Sequence, residues 1–427
     1  MGTLPENEEG EKTVTVELVH PQNMDAPTNV NAEQIMALDR EYVMGTYARQ
    51  PIVFVRGEGA KLWDSAGREY LDFLGGIAVV SVGHSHPHVA GAIARQVQTL
   101  THISNLFHNA LQAPLAQRLC GLTGMEKVFF CNSGAEANEC AIKIARKWGK
   151  RKRGEPCHEI VTFEGSFHGR TLATVTATAQ PKYQLPFTPL VPGFRYAPLN
   201  NLHALDDLIT ERTCAVLIEP IQGESGIRIA TPEFLAGVRA LCDEAEVLLI
   251  LDEVQSGMGR TGHFLASQGA GVTGDIVTMA KGIANGFPMG VCLARGEAAA
   301  TLAPGDHGST FAGQPLACAA ALATLDVLES ERLMERAAQV GTYFLSRLSE
   351  LQRQFSDRVS EVRGVGLMVG MELATPTAKA ILRHLLEAGI VANAIGDTIL
   401  RFVPPLVVTQ ADCDRVVQEL EAALRAH

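Results

Sequence analysis

Residues 247–281 read VLLILDEVQSGMGRTGHFLASQGAGVTGDIVTMAK, and the fold is decided by how this stretch begins and ends. VLLILDE (247–253) and DIVTMAK (275–281) are apolar runs of strand length, and each closes on a charge, Asp252 in the first and Lys281 in the second. A carboxylate at the end of a wholly apolar strand is costly unless it meets a cation or several hydrogen-bond donors. The plainer reading is an acid that caps the following turn. Lys281 precedes the loop GIANGFPMG (282–290), whose glycines admit close approach of backbone to a bound group; alone, such a lysine is normally solvated. Taken together, two consecutive strands set an acid and an amine at one sheet edge. Glu253 points to the opposite face from Asp252, so the two adjacent acids do not form a working pair.

The same rhythm extends outward. Strand-like runs at VFF (128–130), EIVTF (159–163) and CAVLIEP (214–220) alternate with helical patterns as far as about residue 320, which implies an α/β fold with a largely parallel sheet covered by helices. Ligands in such sheets bind at the carboxyl ends of the strands. AKLWDSAGREYLDFL (60–74) reads as a hairpin turning at Asp64–Gly67. One long helical stretch is expected over 315–354. GVGLMVGMEL (364–373) and TILRFVPP (398–405) then supply strands of a smaller α+β domain. The expected organisation is an acidic tail (1–30), a segment packing with the small domain (31–76), a large domain (77–325) and a C-terminal small domain (326–427).

Composition narrows the function. The formal net charge is −11, and the one basic run, Lys147–Arg153, fits a solvated helix end, so no nucleic-acid partner is expected. No apolar run reaches bilayer length, so no membrane span is expected. Residues 1–30 carry Lys12 against Glu6, Glu8, Glu9, Glu11, Glu17 and Asp25, unlike a transit peptide, and lack a signal peptide's apolar core. The nine cysteines include no C-x-x-C pair, which points to a reducing cytoplasm rather than a disulfide framework. His84, His86 and His88 alternate as metal ligands can, but Gly83 and Pro87 make a turn there and no acidic or cysteine cluster completes a site; no metal is expected. Ser133 and Ser166 lie outside any G-x-S-x-G elbow, leaving a hydrolase triad unsupported.

Other polar residues carry two readings each. CNSGAEANECAIKIARKW (131–148) joins a strand end to an amphipathic helix through Ser133, Gly134 and Ala135, either a phosphate-binding helix terminus or a simple capping turn. SFHGRT (166–171) brings Phe167 and Arg170 into one turn, either as an aromatic face and a carboxylate-binding guanidinium or as a packed ring and a surface arginine. Arg401, inside ILRFVPPL, is either an outward edge residue or a buried cation awaiting an anion.

CNSGAEANE, FHGRT, EPIQGE, LDEVQSGMGRTG, MAKGIANGFPMG, HGSTFAGQPLACAAA and RFVPPLVVT, in this order from about Tyr42 to the C-terminus, resemble the class III (ω-amino acid) aminotransferases. Within that family EGSFHGRTL, QPKY, PLVPGFRY and FVPPL are most similar to members that act on N-acetylornithine. The resemblance implies a fold type I enzyme dependent on pyridoxal 5′-phosphate, working as a homodimer with active sites at the subunit interface and passing an ω-amino group to 2-oxoglutarate. It implies that Lys281 carries the cofactor covalently and then shuttles a proton, and that Asp252 keeps the cofactor's ring nitrogen protonated. By the same resemblance Ser133, Gly134 and Ala135 hold the phosphate, Phe167 stacks on the ring, and Val254 and Gln255 touch the ring and its hydroxyl side. Thr310 reaches the neighbouring subunit's phosphate, and Ser309 lies near substrate.

Arg170 would bind the remote carboxylate of either substrate. Arg401 would bind the α-carboxylate of glutamate, and Glu224 would pair with Arg401 when an ω-amine is bound. Tyr47 matches a family tyrosine near the substrate. The chain departs from common family patterns at Ala284–Asn285–Gly286, at Ala312–Gly313–Gln314–Pro315 and at Ser225, all in loops that shape the pocket and the dimer edge. Succinylornithine, ornithine, 4-aminobutyrate or a carrier-linked lysine are alternative amine donors. A PLP aminomutase and a non-catalytic binding protein that kept the fold are alternative functions.

Overall fold

The computed structural model describes residues 31–427; the acidic tail expected over 1–30 lies outside the described residues. Its centre is a seven-stranded sheet in the order Lys127–Cys131, Gly290–Ala294, Ile276–Met279, Leu248–Asp252, Thr213–Ile218, Glu159–Phe163 and Phe194–Ala197. Gly290–Ala294 runs antiparallel to both its neighbours, and every other pairing is parallel.

Helices cover both faces, which is why the inner strands read as unbroken apolar runs instead of alternating ones. Alternation is still present in where the side chains go. Leu248 and Ile250 pack with Ile144, Ala145 and Trp148 of the helix Gly134–Arg153. Leu249 and Leu251 face the other way, toward Phe234 and Val238 of the helix Pro232–Glu244. Continuing this period of two by one residue puts Asp252 on the face of the Gly134–Arg153 helix.

The 315–354 stretch, expected as one helical run, is two helices, Pro315–Ser330 and Leu333–Gln354. Arg332 between them adopts a left-handed conformation with φ of 52°. That single residue redirects the chain without glycine or proline, so composition carries no mark of the break.

The hairpin of Lys61–Asp64 and Glu69–Asp72 forms, joined at its outer edge by Phe54–Glu58. Glu69–Asp72 also pairs in parallel with Ile390–Val391 from the far end of the chain. A four-stranded antiparallel sheet, Val359–Val365, Met368–Leu373, Ile399–Phe402 and Asn393–Ile395, completes the C-terminal part. Among the described residues no helix is long and apolar enough to cross a membrane.

Candidate active site

Three neighbouring parallel strands deliver their next residues to one sheet edge. Thr213–Ile218 leads to Glu219, Leu248–Asp252 ends on Asp252, and Ile276–Met279 leads through Ala280 to Lys281. All three residues line a cavity of about 390 Å³ together with Ser133, Gly134, Ala135, Phe167, His168, Arg170, Glu224, Val254 and Gln255.

Asp252 is buried, and donors surround it. Its Oδ2 accepts from Asn138 Nδ2 at 2.7 Å and from His168 Nδ1 at 2.8 Å. Its Oδ1 accepts from the Val254 N–H at 3.0 Å. Asn138 is saturated in turn: its amide also donates to the His168 carbonyl at 2.8 Å, and its Oδ1 accepts from Thr278 Oγ1 at 2.7 Å. The buried carboxylate is therefore met by oriented amide and imidazole donors, with a free lone pair on Oδ1 and an edge of the carboxylate on the cavity. Glu253, on the opposite face, is held apart by Ser256 Oγ at 2.5 Å and the Ala266 and Ser267 amides.

Lys281 sits at φ 45° at the start of a short 3-10 turn, a conformation side chains normally avoid and one seen at functional positions. Burial draws its ammonium down to about 8, with Glu224 pulling in the opposite sense. Burial, reinforced by the charge of Asp252, pushes Glu219 well above the usual carboxylate range. Its Oε2 accepts from the Phe167 N–H at 2.9 Å. Through this bond Glu219 fixes the start of the turn that carries Phe167, His168 and Arg170.

Arg401 is fully buried and does have an anion: its Nη1 lies 2.5 Å from Glu224 Oε1. The same nitrogen donates to the Gly223 carbonyl at 3.1 Å, and Nε donates to Asn393 Oδ1 at 3.1 Å. Gln255 Nε2 donates to Glu224 Oε1 at 3.1 Å. Burial works to raise the Glu224 carboxyl, but Arg401, Lys281 and these hydrogen bonds outweigh it and hold the group below its ordinary range. Glu224 lines the cavity and pairs with Arg401, which lies buried outside that lining. Arg170 remains exposed, its guanidinium 4.0 Å from the Tyr183 ring centroid and 5.4 Å from that of Phe167. Among the described residues it forms no ion pair.

The helix Gly134–Arg153 begins at the cavity, with Ser133 as its N-cap accepting from the Glu136 N–H at 3.2 Å. At Gly134 a Cβ would stand 2.8 Å from Val254 Cγ1, so only glycine leaves this corner open. A helix amino terminus, a closely approached glycine, an acid with an unused lone pair and an amine depressed toward neutrality together match a phosphorylated pyridine aldehyde. Pyridoxal 5′-phosphate fits these residues.

Not every expected residue comes to the cavity within one chain. Tyr47 is 75 % exposed, its ring 5.5 Å from the Arg49 guanidinium, because residues 43–50 run outside any regular element. Thr310 is exposed and does not line the cavity. Ser309 Oγ accepts from Asn132 Nδ2 at 3.1 Å, which puts it beside a cavity residue of its own chain. His84, His86 and His88 separate onto Asp72, Glu331 and Asp326. Asn138, His168 and Glu219 were not singled out from the sequence. For Glu219 the signal was present, since EPIQGE places an acid after an apolar strand as LDE does.

The family model described as aminotransferase class-III matches residues 43–424. Acetylornithine aminotransferase of Caldanaerobacter subterraneus is 47 % identical over 91 % of this chain and 99 % of its own length. The protein of that name from Gloeobacter violaceus is 49 % identical over 89 % and 95 %. Among solved structures, ornithine aminotransferase of Toxoplasma gondii superposes with a TM-score of 0.89 at 34 % identity, covering 93 % of this chain and 96 % of that one. Acetylornithine aminotransferase of Elizabethkingia anophelis gives 0.84 at 34 %, covering 93 % and 100 %.

Proposed function

The chain belongs to the class III aminotransferases, with the fold type I architecture and the pyridoxal 5′-phosphate dependence of that family, and from that premise we propose that it moves the ω-amino group of N-acetylornithine to 2-oxoglutarate. The products are N-acetylglutamate semialdehyde and glutamate, a step of arginine biosynthesis. The relatives named acetylornithine aminotransferase support this choice of donor. The observation that carries it is the buried Arg401–Glu224 pair beside Lys281.

The two amines that must use one site differ in what stands next to the reacting carbon. Glutamate brings an α-carboxylate there; an ω-amine brings none. With Arg170 holding the remote carboxylate of either molecule, Arg401 is needed as an anchor in one case and is an unwanted charge in the other. Glu224 answers both demands by pairing with Arg401 for the ω-amine and giving way to the α-carboxylate of glutamate. When bound, the cofactor supplies a pyridinium that accepts the electrons released as the proton leaves the substrate carbon.

Asp252, fixed by Asn138 and His168, holds the proton on the ring nitrogen. Phe167 and Val254 confine the ring, and Ser133, Gly134 and Ala135 receive the phosphate. Lys281 Nζ, which would hold the cofactor, would serve as the base that takes the proton from the substrate carbon. Its lowered pKa makes the neutral amine accessible for this work.

A homodimer with shared sites belongs to the same proposal. Leu106, Phe107 and Phe311 are exposed. They gather beside Ser309–Thr310, where Asn105 Nδ2 donates to the Ala312 carbonyl at 2.8 Å and the His102 and Phe311 rings stand 5.3 Å apart. An apolar patch of this kind, next to residues that miss their own cavity, fits coverage by a second copy that receives Thr310. Full activity of a single chain in sedimentation-matched assays would contradict it. The cytoplasm is the compartment proposed, supported by nine free thiols; cell fractionation tests it.

The donor is tested by steady-state assay of the purified protein with 2-oxoglutarate and, in turn, N-acetylornithine, succinylornithine, ornithine and 4-aminobutyrate. N-acetylornithine is expected to give the highest kcat/KM. A higher value for another amine would keep the enzyme class and replace the substrate.

A further inference from the structure

Two stretches far apart in sequence share the lining of the cavity: Val79 from one, and Gly286, Phe287, Pro288 and Met289 from the loop after Lys281. The first is reached through a strained turn. Gly75, Gly76, Ile77 and Ala78 have successive φ values of 56, 64, 66 and 62°. Left-handed backbone is unfavourable for isoleucine and alanine, and a run of it persists only where the surroundings over-determine it. At the start of the turn, Asp72 Oδ1 accepts from the Leu74 and Gly75 N–H groups, each at 2.8 Å.

At the far end the hold comes from a single side chain on the other stretch. Asn285 Oδ1 accepts from the Val82 N–H at 3.0 Å, and Asn285 Nδ2 donates to the Gly83 carbonyl at 2.8 Å. The amide thereby joins the 79–83 segment as a strand edge would, across some two hundred residues of sequence. Asn285 is itself left-handed, at φ 47° and ψ 47°, a conformation asparagine tolerates better than most residues. Close approach of the two stretches is evident at Gly282 too, where a Cβ would stand 2.3 Å from Ser81 Oγ.

We propose that Asn285 is a positioning residue for the amine donor: by stapling residues 82–83 to the loop after Lys281 it sets the separation between Val79 and Phe287–Met289, and with it the fit of the donor's chain. The inference rests on the ω-amine reading above. 2-Oxoglutarate, gripped through both carboxylates by Arg170 and Arg401, depends less on these walls.

Two variants test it. Asn285→Gly loses both hydrogen bonds while keeping a residue at ease in left-handed backbone. Asn285→Asp keeps the acceptor for Val82 and loses the donor to Gly83. For Asn285→Gly, kcat/KM for the donor falls by about fivefold or more through KM, while kcat, kcat/KM for 2-oxoglutarate and the bound-cofactor spectrum stay within about twofold. Asn285→Asp falls between this variant and the parent. Equal losses for both substrates, or no loss for either, in protein with the parent's melting temperature would overturn the proposal. If Asn285→Gly melts early, the same criterion is applied to Asn285→Asp. An error in the donor assignment shows separately, as preference of the unmodified protein for another amine, and the ratio is then read with that amine.

Discussion

At the scale of single residues, Lys281 is the most exacting case, because one amine has to be neutral when it attacks and available to carry a proton afterwards. Burial brings its pKa to about 8, below the unperturbed lysine value of about 10.4. Since only the neutral amine captures an aldehyde, capture of pyridoxal 5′-phosphate by cofactor-free protein should quicken as pH rises and level off above about 8. Stopped-flow absorbance between pH 6 and 10 reads this directly, with Lys281→Ala giving no covalent species. A rate still climbing steeply near pH 10 would mean that the amine is not depressed. Around Lys281 the carboxyls are differentiated by their partners: Asp252 has three donors, Glu224 has Arg401, and Glu219 has one amide.

At the scale of elements, the strands of the central sheet were legible because burial on both faces leaves a run with almost no polar interruption. Their residue-by-residue alternation was not legible, since leucine on one face looks like leucine on the other. That hidden period decides the site. It turns Asp252 toward the Gly134–Arg153 helix, where Asn138, one turn in from Gly134, meets it. Asn138 and His168 escaped notice because an asparagine in a helix and a histidine in a turn have ordinary solvated roles; only the third dimension brings both onto one carboxylate oxygen. The edge of the sheet was read for Asp252 and Lys281 but not for Glu219, which obeys the same rule one strand over. The break at Arg332 was invisible for a different reason, as its left-handed backbone falls on a residue type that gives no turn signal. The Asn285 staple was likewise recorded in the sequence only as a departure from the common family pattern at Ala284–Asn285–Gly286.

At the scale of the whole molecule, the site is assembled from distant parts of the chain. Arg401 comes from the C-terminal antiparallel sheet, while its partner Glu224 follows the central sheet. Arg260, buried, donates from Nη1 to the carbonyls of Leu367 at 3.0 Å and Pro404 at 2.8 Å, tying the loop after Asp252 to the segment before Met368–Leu373 and to the one after the Arg401 strand. The charge pair therefore senses the relative placement of both parts, as a site that must accept two unlike substrates requires. Under the proposed function Glu224 screens Arg401 from the ω-amine donor, whose own α-carboxylate would otherwise be drawn to it in the wrong orientation. The most direct test follows the bound-cofactor absorbance in single turnovers with N-acetylornithine and, separately, with glutamate, in the parent protein and in Glu224→Gln. The parent is expected to convert with both, and the variant to slow by about tenfold or more with N-acetylornithine but by no more than about threefold with glutamate. Equal slowing in the two half-reactions would contradict it.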